Sequence, residues 1–296
     1  MIAAGRAAGP TVGDALREGE ALLAAAGVDS PRLSVQVLAA HALGLERHAL
    51  LLARSRALAP AEADRLRVLV RRRAGGEPVA YLTGTREFYG LDFLVGPAVL
   101  IPRPETEHLL ELAEALFPRD AALTFADLGT GSGCLAVTLA HRFPAARGLA
   151  LDASAAALEV ARANARRHGV AARVQPLRAD FGRPFAVPGS LDLVLANPPY
   201  VGQTEYLDIS PEVRGFEPRS ALVPAVPGAA DGLECYRALV PRAAEALRPG
   251  GALLAEIGCA QGAAVRAIVE ATGAFADLRV LPDLAGLDRV VAARRA

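Results

Sequence analysis

The chain has 296 residues, of which 52% are hydrophobic, so one large domain or two with sizeable cores are expected. Lysine plus arginine and aspartate plus glutamate both number 32, which gives zero net charge, and every residue in the first group is arginine. Zero net charge does not favour direct nucleic-acid binding, because that affinity comes mainly from neutralising phosphates.

The cysteines, the histidines and the hydropathy pattern indicate whether a metal site, a membrane span or a signal sequence is expected. Cys134, Cys235 and Cys259 lie far apart and lack the paired spacing of a metal site, and the histidines form no metal motif, so no metal is expected. Unpaired cysteines favour reduced thiols and a cytoplasmic location. No apolar stretch is long enough to span a bilayer, and Met1 to Pro10 lacks the hydrophobic core of a signal sequence, so no membrane is expected.

The first 84 residues predict a small helical bundle. Leucines recur at helical spacing from Asp14 to Ala26, and Gly27 ends that helix. Ser30 followed by Pro31 predicts an N-cap with proline at the first helical position.

A β-hairpin is predicted next, because Arg86 to Val95 alternates polar and apolar residues around Gly90. Residues 85–103 are expected to link the helical bundle to a second domain at 104–296. Strand and helix patterns alternate in that second domain, which predicts an α/β fold with a doubly wound, mostly parallel sheet and right-handed crossovers.

A glycine-rich turn follows the first strand of this second domain. Leu123 to Leu128 predicts a strand, Cys134 to Arg142 a helix, and between them stand Gly129, Thr130, Gly131, Ser132 and Gly133. Glycines let the backbone turn tightly and approach a ligand, and the helix start offers free N–H groups. The spacing differs from the Gly-x-Gly-x-x-Gly of dinucleotide folds and favours a cofactor without a pyrophosphate, although an ordinary glycine turn has the same pattern.

Two further strand ends have candidate ligand-binding residues. Asp152 ends the next predicted strand, where a carboxylate can accept hydrogen bonds from both hydroxyls of a ribose or, alternatively, cap the helix near Ser154. Asp180 and Phe181 follow a third strand, where the acid could accept from an adenine amino group and the ring could stack on the base. The alternative for this pair is a loop acid and a core aromatic residue. All three strand ends are expected at one edge of an open sheet.

The most informative motif is Asn197, Pro198, Pro199 and Tyr200, directly after the apolar run Leu191 to Ala196. That run predicts a strand buried on both faces. The prolines end the strand and leave the Pro198 carbonyl without an obvious backbone partner, so this carbonyl and the Asn197 side-chain oxygen can accept both protons of a planar NH2 group. Tyr200 offers a flat face for a planar amide or base. A simple strand-ending turn is the alternative, and a long loop, Val201 to Gly228, is predicted to follow.

Over nearly its whole length the chain resembles the S-adenosylmethionine-dependent methyltransferases, and specifically the peptide chain release factor glutamine N5-methyltransferases. The Ile-Pro-Arg-Pro-Glu-Thr-Glu segment distinguishes this family best within the superfamily. The matching stretches are Glu77 to Gly84, Arg86 to Phe88, Ile101 to Glu107, Asp127 to Gly133, Asn197 to Tyr200 and Phe216 to Pro218.

The resemblance implies a class I methyltransferase fold with a seven-stranded sheet and S-adenosylmethionine as cofactor. It implies that Asn197, Pro198, Pro199 and Tyr200 hold the substrate glutamine, with Asn197, Pro198 and Tyr200 as the catalytic group. Many relatives have tryptophan where this chain has Phe181. Phenylalanine keeps a ring face for stacking but lacks the indole N–H donor. The implied cofactor-binding residues are Gly129, Thr130, Gly131, Ser132, Gly133, Asp152, Asp180, Phe181 and Asn197.

The implied substrate is the glutamine of the Gly-Gly-Gln loop in class I peptide release factors, with residues 1–84 as the substrate-recognition domain. Two other substrates remain open. A ribosomal-protein glutamine methyltransferase has the same turn, and the same turn suits adenine N6 or guanine N2, although a nucleobase enzyme needs a flipped base and a basic track.

Overall fold

The computed structural model describes residues 9–224 and 231–296, so the end of the predicted loop at Val201 to Gly228 lies outside the described residues. The chain forms two compact units. The helical unit comprises the described residues up to Gly84 together with Pro211–Phe216, and the sheet unit comprises Thr85–Ser210 and Glu217–Ala296. The functional division predicted at residues 84 and 103 stays a prediction.

The helices, in chain order, are α1 (Val12–Ala25), α2 (Pro31–Leu43), α3 (Ala49–Leu52), α4 (Pro60–Ala74), α5 (Val79–Thr83), α6 (Glu107–Leu116), α7 (Cys134–Arg142), α8 (Ala155–Arg167), α9 (Pro211–Phe216), α10 (Glu234–Ala246) and α11 (Gly262–Ala271). The strands are β1 (Thr85–Phe88), β2 (Leu91–Leu94), β3 (Thr124–Leu128), β4 (Arg147–Asp152), β5 (Val174–Arg178), β6 (Leu191–Ala196), β7 (Leu247–Glu256), β8 (Phe275–Pro282) and β9 (Asp288–Arg295). No described helix is long and apolar enough to cross a membrane.

Local sequence explains how the helical unit begins, with one correction. Thr11 and Asp14 form a capping box at the start of α1, in which each side chain accepts a hydrogen bond from the other residue's backbone N–H. Ser30 occupies the predicted N-cap position of α2, but the side-chain cap that this position predicts is not formed. Ser30 has φ 51°, a left-handed backbone and not the extended one that a capping side chain needs, and it makes no side-chain cap. Pro31, with its fixed φ, still starts α2.

The predicted hairpin is confirmed by the antiparallel pairing of β1 with β2, from Thr85 opposite Leu94 to Phe88 opposite Leu91. Tyr89 and Gly90 form its two-residue turn, with φ values of 52° and 79°. Positive φ at both positions matches the right-handed twist of the two strands. The predicted loop after β6 contains α9, a helix of 6 residues that groups with the helical unit.

Within the described residues, seven strands form one sheet in the order β5-β4-β3-β6-β7-β9-β8. The first five are parallel, and β9 is antiparallel to both β7 and β8. The predicted doubly wound, mostly parallel sheet is therefore confirmed. The chain reverses its direction of winding between β3 and β6, and ligands of open α/β sheets bind outside the carboxyl ends of the strands at such a point.

Burial on both faces explains why the central strands are so apolar. All six residues of β6 are buried, as predicted. Alternate residues of the strand belong to two separate clusters: Leu193 and Leu195 pack under α6 and α7, and Val194 and Ala196 pack under α10. Helices cover both sides of the sheet, so polar groups of the centre are accessible chiefly at the strand ends.

Asn164 on α8 ties the hairpin to the glycine-rich turn, and we expect its loss to destabilise the sheet unit. Its side chain is fully buried, accepts from the Leu94 N–H at 2.7 Å, and donates to the carbonyls of Leu94 and Ser132 at 3.0 and 2.8 Å. Asn164→Ala leaves three backbone groups without this partner, one on buried Ser132 and two on half-buried Leu94, so the free energy of unfolding should fall by about 2 to 3 kcal/mol.

Denaturant unfolding measures this loss. The control is Arg166→Ala, an exposed position on the same helix, which should change stability by less than about 0.5 kcal/mol. A loss at Asn164 as small as that of the control would contradict the bridging role.

Candidate active site

A cleft of about 740 Å³ opens at the carboxyl ends of β3, β4 and β6, a volume suited to a small-molecule site. The structure brings most of the predicted site residues together there. Gly133, Pro198 and Tyr200 are not among the residues that line the cleft. Those that line it are Gly129, Thr130, Gly131, Ser132, Asp152, Asp180, Phe181, Asn197 and Pro199.

The glycine-rich turn folds back over the end of β4. The N–H groups of Gly129 and Thr130 both donate to the Leu151 carbonyl, at 2.9 and 2.7 Å. Gly129, Gly131 and Gly133 have φ values of 77°, 53° and 81°, a left-handed backbone conformation that residues other than glycine rarely adopt. A Cβ on Gly133 would lie 3.2 Å from the Cα and Cβ of Ala161. The third glycine is therefore required by the close packing of α7 against α8.

Asp152 supports this turn and also the helix that follows it. Its Oδ2 accepts from the Gly131 N–H at 3.0 Å, and its Oδ1 accepts from the Ser154 N–H at 2.8 Å. Ser154 is the N-cap of α8 and accepts from the Ala157 N–H. A carboxylate has about four acceptor positions, so Asp152 can still accept hydrogen bonds from a ligand in the cleft.

Asp127, at the end of β3, is a buried acceptor that lines the same cleft. Its Oδ2 accepts from the Thr130 hydroxyl at 2.6 Å and from the Ala136 N–H at 3.2 Å, whereas its Oδ1 has no partner in the described part of the chain. Burial raises the pKa of this carboxyl to about 7, against the lowering effect of its two donors. An unpartnered buried carboxylate oxygen fits a ligand group that donates a hydrogen bond or is positively charged.

Asp180 and Phe181 form another part of the cleft wall. Asp180 is exposed, and its Oδ1 accepts from the Gly182 N–H at 2.9 Å. Phe181 is half-buried and packs against the apolar cluster under α10. Two residues of α10 itself, Cys235 and Ala238, also line the cleft. This wall offers an apolar ring beside a carboxylate, which suits a flat polar base.

Asn197 has one end of its amide fixed and the other end available. Its Nδ2 donates to the Thr106 hydroxyl at 2.9 Å. Neither the Asn197 Oδ1 nor the Pro198 carbonyl accepts a hydrogen bond from any described residue. These two neighbouring acceptors, just after the carboxyl end of β6, can accept both protons of an NH2 group.

Tyr200 is held from three sides. Its hydroxyl donates to Glu256 Oε1 at 3.3 Å, and its carbonyl accepts from Gln261 Nε2 at 2.8 Å. A Cβ on Gly232 would lie 2.2 Å from that carbonyl, so this glycine allows a close backbone approach. Burial raises the pKa of Tyr200, which keeps the phenol protonated. A stacking role for Tyr200 stays a prediction.

Sequence reasoning gave no role to three polar residues of this site. Glu217 is buried, accepts from the Ile101 N–H at 2.9 Å and pairs with the Arg103 guanidinium, so it joins two of the matching stretches. Thr106 and Glu256 hydrogen bond to each other behind Asn197. The only sequence signal for Glu256 is an acid at the carboxyl end of an apolar strand. Within the described residues no cluster suited to a metal ion occurs.

Solved structures of low sequence identity define the fold class. A methyltransferase from Pyrococcus furiosus is similar with a TM-score of 0.50 at 15% identity, over 77% of this chain and 96% of that one. The 16S rRNA N2 G1207 methyltransferase of Thermus thermophilus, solved with AdoMet and guanosine, is similar with a TM-score of 0.50 at 18% identity, over 72% of this chain and 50% of that one. The fold is therefore that of a class I methyltransferase.

Sequence relatives give the particular family. Family models for the PrmC N-terminal domain and the methyltransferase small domain match residues 14–84 and 107–211. A release factor glutamine methyltransferase of Nitratidesulfovibrio vulgaris is 49% identical over 95% of this chain and 94% of its own length. One of Moorella thermoacetica is 48% identical over 96% and 99%. The chain belongs to the release factor glutamine methyltransferase family, as its motifs predict.

The chain is therefore a methyltransferase with S-adenosylmethionine as methyl donor. The residues of the cleft fit this cofactor, which has hydroxyl and amino donors, a planar base and a sulfonium cation. Asp127 has an unpartnered oxygen, Asp152 has acceptor positions left, and Phe181 offers a ring.

We expect cofactor affinity to depend on pH through Asp127. A bound cation or donor favours the carboxylate, but the free carboxyl, with a pKa of about 7, is mostly protonated at lower pH. Binding should therefore weaken as pH falls below about 7, by up to about tenfold per pH unit, and this dependence should disappear above it. Calorimetric Kd values between about pH 5.5 and 8.5 measure the effect.

Asp127→Asn is the control, because it removes the titration and keeps the side-chain size. Comparison of the two pH profiles cancels the titration of the cofactor's own groups. Parallel profiles for the wild-type protein and Asp127→Asn would refute a titrating carboxylate at this position.

Proposed function

We propose that the protein transfers the methyl group of S-adenosylmethionine to the side-chain amide nitrogen, N5, of the glutamine in the Gly-Gly-Gln motif of class I peptide release factors. The pair of acceptors on Asn197 and Pro198 to which no described residue donates carries this proposal, because it matches the two protons of a carboxamide nitrogen. The names of the relatives, release factor glutamine methyltransferases, support the same substrate.

The reaction needs orientation more than it needs a base. The cofactor supplies an electrophilic methyl group on sulfur when it is bound. An amide nitrogen shares its lone pair with its carbonyl and attacks poorly. Asn197 Oδ1 and the Pro198 carbonyl would accept its two protons, raise the electron density on nitrogen and fix the face that it presents. Alignment of this kind contributes up to about 7 to 11 kcal/mol in favourable cases.

Charge that develops on the nitrogen is stabilised by the same two acceptors. Both belong to a turn whose prolines have fixed φ, so little reorganisation is needed as the charge forms. The Asn-Pro-Pro-Tyr motif contains no strong base, and we assign none. The proton leaves to water after the transfer.

The remaining roles are assigned by position in the cleft or, for Gly133 and residues 1–84, by resemblance to the family. Gly129 to Gly133, with Asp152, would hold the amino-acid and ribose parts of the cofactor, and Asp180 and Phe181 its adenine. Residues 1–84 would recognise the body of the release factor. Absence of direct nucleic-acid binding and a cytoplasmic location stay predictions.

Mass spectrometry of a purified class I release factor, incubated with this protein and S-adenosylmethionine, tests the function. We expect a gain of about 14 Da, one CH2, on the glutamine of the Gly-Gly-Gln loop. A release factor in which that glutamine is replaced by asparagine should gain nothing. Methylation of ribosomal protein or nucleic acid, with none on the release factor, would contradict the proposal.

Asn197→Ala should separate catalysis from cofactor binding. Removal of one pre-oriented group costs about 2.7 to 4 kcal/mol in comparable sites, so kcat should fall by about 10² to 10³. The cofactor Kd should change far less than kcat, because the side-chain oxygen is assigned to the substrate nitrogen.

Initial rates and calorimetry measure the two quantities. Gln203→Ala is the matched control, because Gln203 also has a side-chain carboxamide and is exposed in the loop after the turn. It should leave both quantities unchanged. If Asn197→Ala weakened cofactor binding as much as it slowed transfer, the role assigned to Asn197 would be wrong.

A further inference from the structure

Behind the Asn-Pro-Pro-Tyr turn, three side chains form a hydrogen-bonded chain that begins at a buried acid. Glu256, the last residue of β7, accepts from the Thr106 hydroxyl at 2.6 Å. The Thr106 oxygen in turn accepts from Asn197 Nδ2 at 2.9 Å. Glu256 and Thr106 are only 1% and 2% exposed, so water does not substitute for these partners.

The order of donors and acceptors in this series of hydrogen bonds determines which end of the Asn197 amide faces the cleft. When Glu256 is ionised its carboxylate can only accept, so Thr106, whose hydroxyl has one proton, gives that proton to Glu256. The Thr106 oxygen can then only accept from Asn197, which requires the NH2 end of that amide. The Asn197 oxygen is thereby left for the cleft.

The other groups around Glu256 favour its role as an acceptor. The Tyr200 hydroxyl donates to its second oxygen at 3.3 Å, and the Tyr236 hydroxyl donates to its backbone carbonyl at 2.7 Å. Burial raises the pKa of Glu256, whereas the Thr106 hydroxyl and the positive charge of Arg289 act against that rise. With both carboxyl oxygens accepting hydroxyl protons, the ionised form satisfies the whole network.

We propose that Thr106 and Glu256 are positioning residues of the methyl transfer, which lock the Asn197 carboxamide with its oxygen toward the substrate nitrogen. The proposal rests on the function proposed above for Asn197. Without the lock, an amide that rotates by 180° would present its NH2 to the substrate NH2, a donor against a donor. The Ile-Pro-Arg-Pro-Glu-Thr-Glu segment thus contributes a hydroxyl to the site through Thr106.

A double-mutant cycle between Thr106 and Asn197 tests this inference. Thr106→Val keeps the shape of the side chain and removes the hydroxyl, so kcat should fall by about 10- to 100-fold with KM and the cofactor Kd within about twofold. Thr106→Ser, which restores the hydroxyl, should keep at least about half of kcat. In the Asn197→Ala background, Thr106→Val should cost less than about twofold, because nothing remains to be oriented.

Glu256→Gln gives an independent test that does not depend on the fold tolerating valine at position 106. It keeps the size of the side chain, but its amide can donate to Thr106 and so reverse the order of donors. We expect kcat to fall at least about fivefold with the cofactor Kd unchanged, and no further loss when this change is added to Thr106→Val.

Several outcomes would overturn the inference. Wild-type kcat in both Thr106→Val and Glu256→Gln would do so. An equal loss from Thr106→Val in the wild-type protein and in the Asn197→Ala background would do so too, because it indicates general damage or a direct contact. If Asn197→Ala kept the wild-type kcat, the role proposed for Asn197 would be wrong, and this inference would be wrong with it. Loss in Asn197→Ala with wild-type kcat in both Thr106→Val and Glu256→Gln removes only the inference.

Discussion

The parallel register of β3 with both of its neighbours determines where the glycine-rich turn, Asp152 and Asn197 lie. Leu128 pairs with Leu151 on one side and with Ala196 on the other. The glycine-rich turn, Asp152 and Asn197 each follow one of these paired residues, so they meet at one edge. Since side chains alternate along a strand, a slip of one residue in either pairing would turn Asp127 away from the cleft.

Three buried acids hold the segments at this edge of the sheet in place through hydrogen bonds. Asp127 accepts from Thr130 in the glycine turn, Glu217 accepts from Ile101, and Glu256 accepts from Thr106. Glu217 and Glu256 join segments that are distant in sequence, Asp127 joins the end of β3 to the glycine-rich turn, and hydrogen bonds offset the cost of burying each acid. Their shared effect is that the acceptors facing the cleft are held rigidly before any ligand arrives, which is what pre-oriented catalysis requires.

Local signals were enough to predict the strand ends, the glycine-rich turn and the position of Asn197, because each depends on a few consecutive residues. The Thr106–Glu256 contact was not predictable in this way, because 150 residues separate the partners and only the folded sheet brings them together. The missing side-chain cap at Ser30 has a related cause: the residue type favours a cap, but its backbone is left-handed. Helix α9, with 6 residues, is too short for a periodic pattern to indicate it.

A structure of the protein with S-adenosylhomocysteine and a peptide that contains the Gly-Gly-Gln sequence would test the central claim most directly. The account predicts that the glutamine amide nitrogen lies about 3 Å from both Asn197 Oδ1 and the Pro198 carbonyl oxygen, with its open face toward the sulfur. A turn covered by the protein's own side chains, or an amide nitrogen facing away from the sulfur, would contradict it.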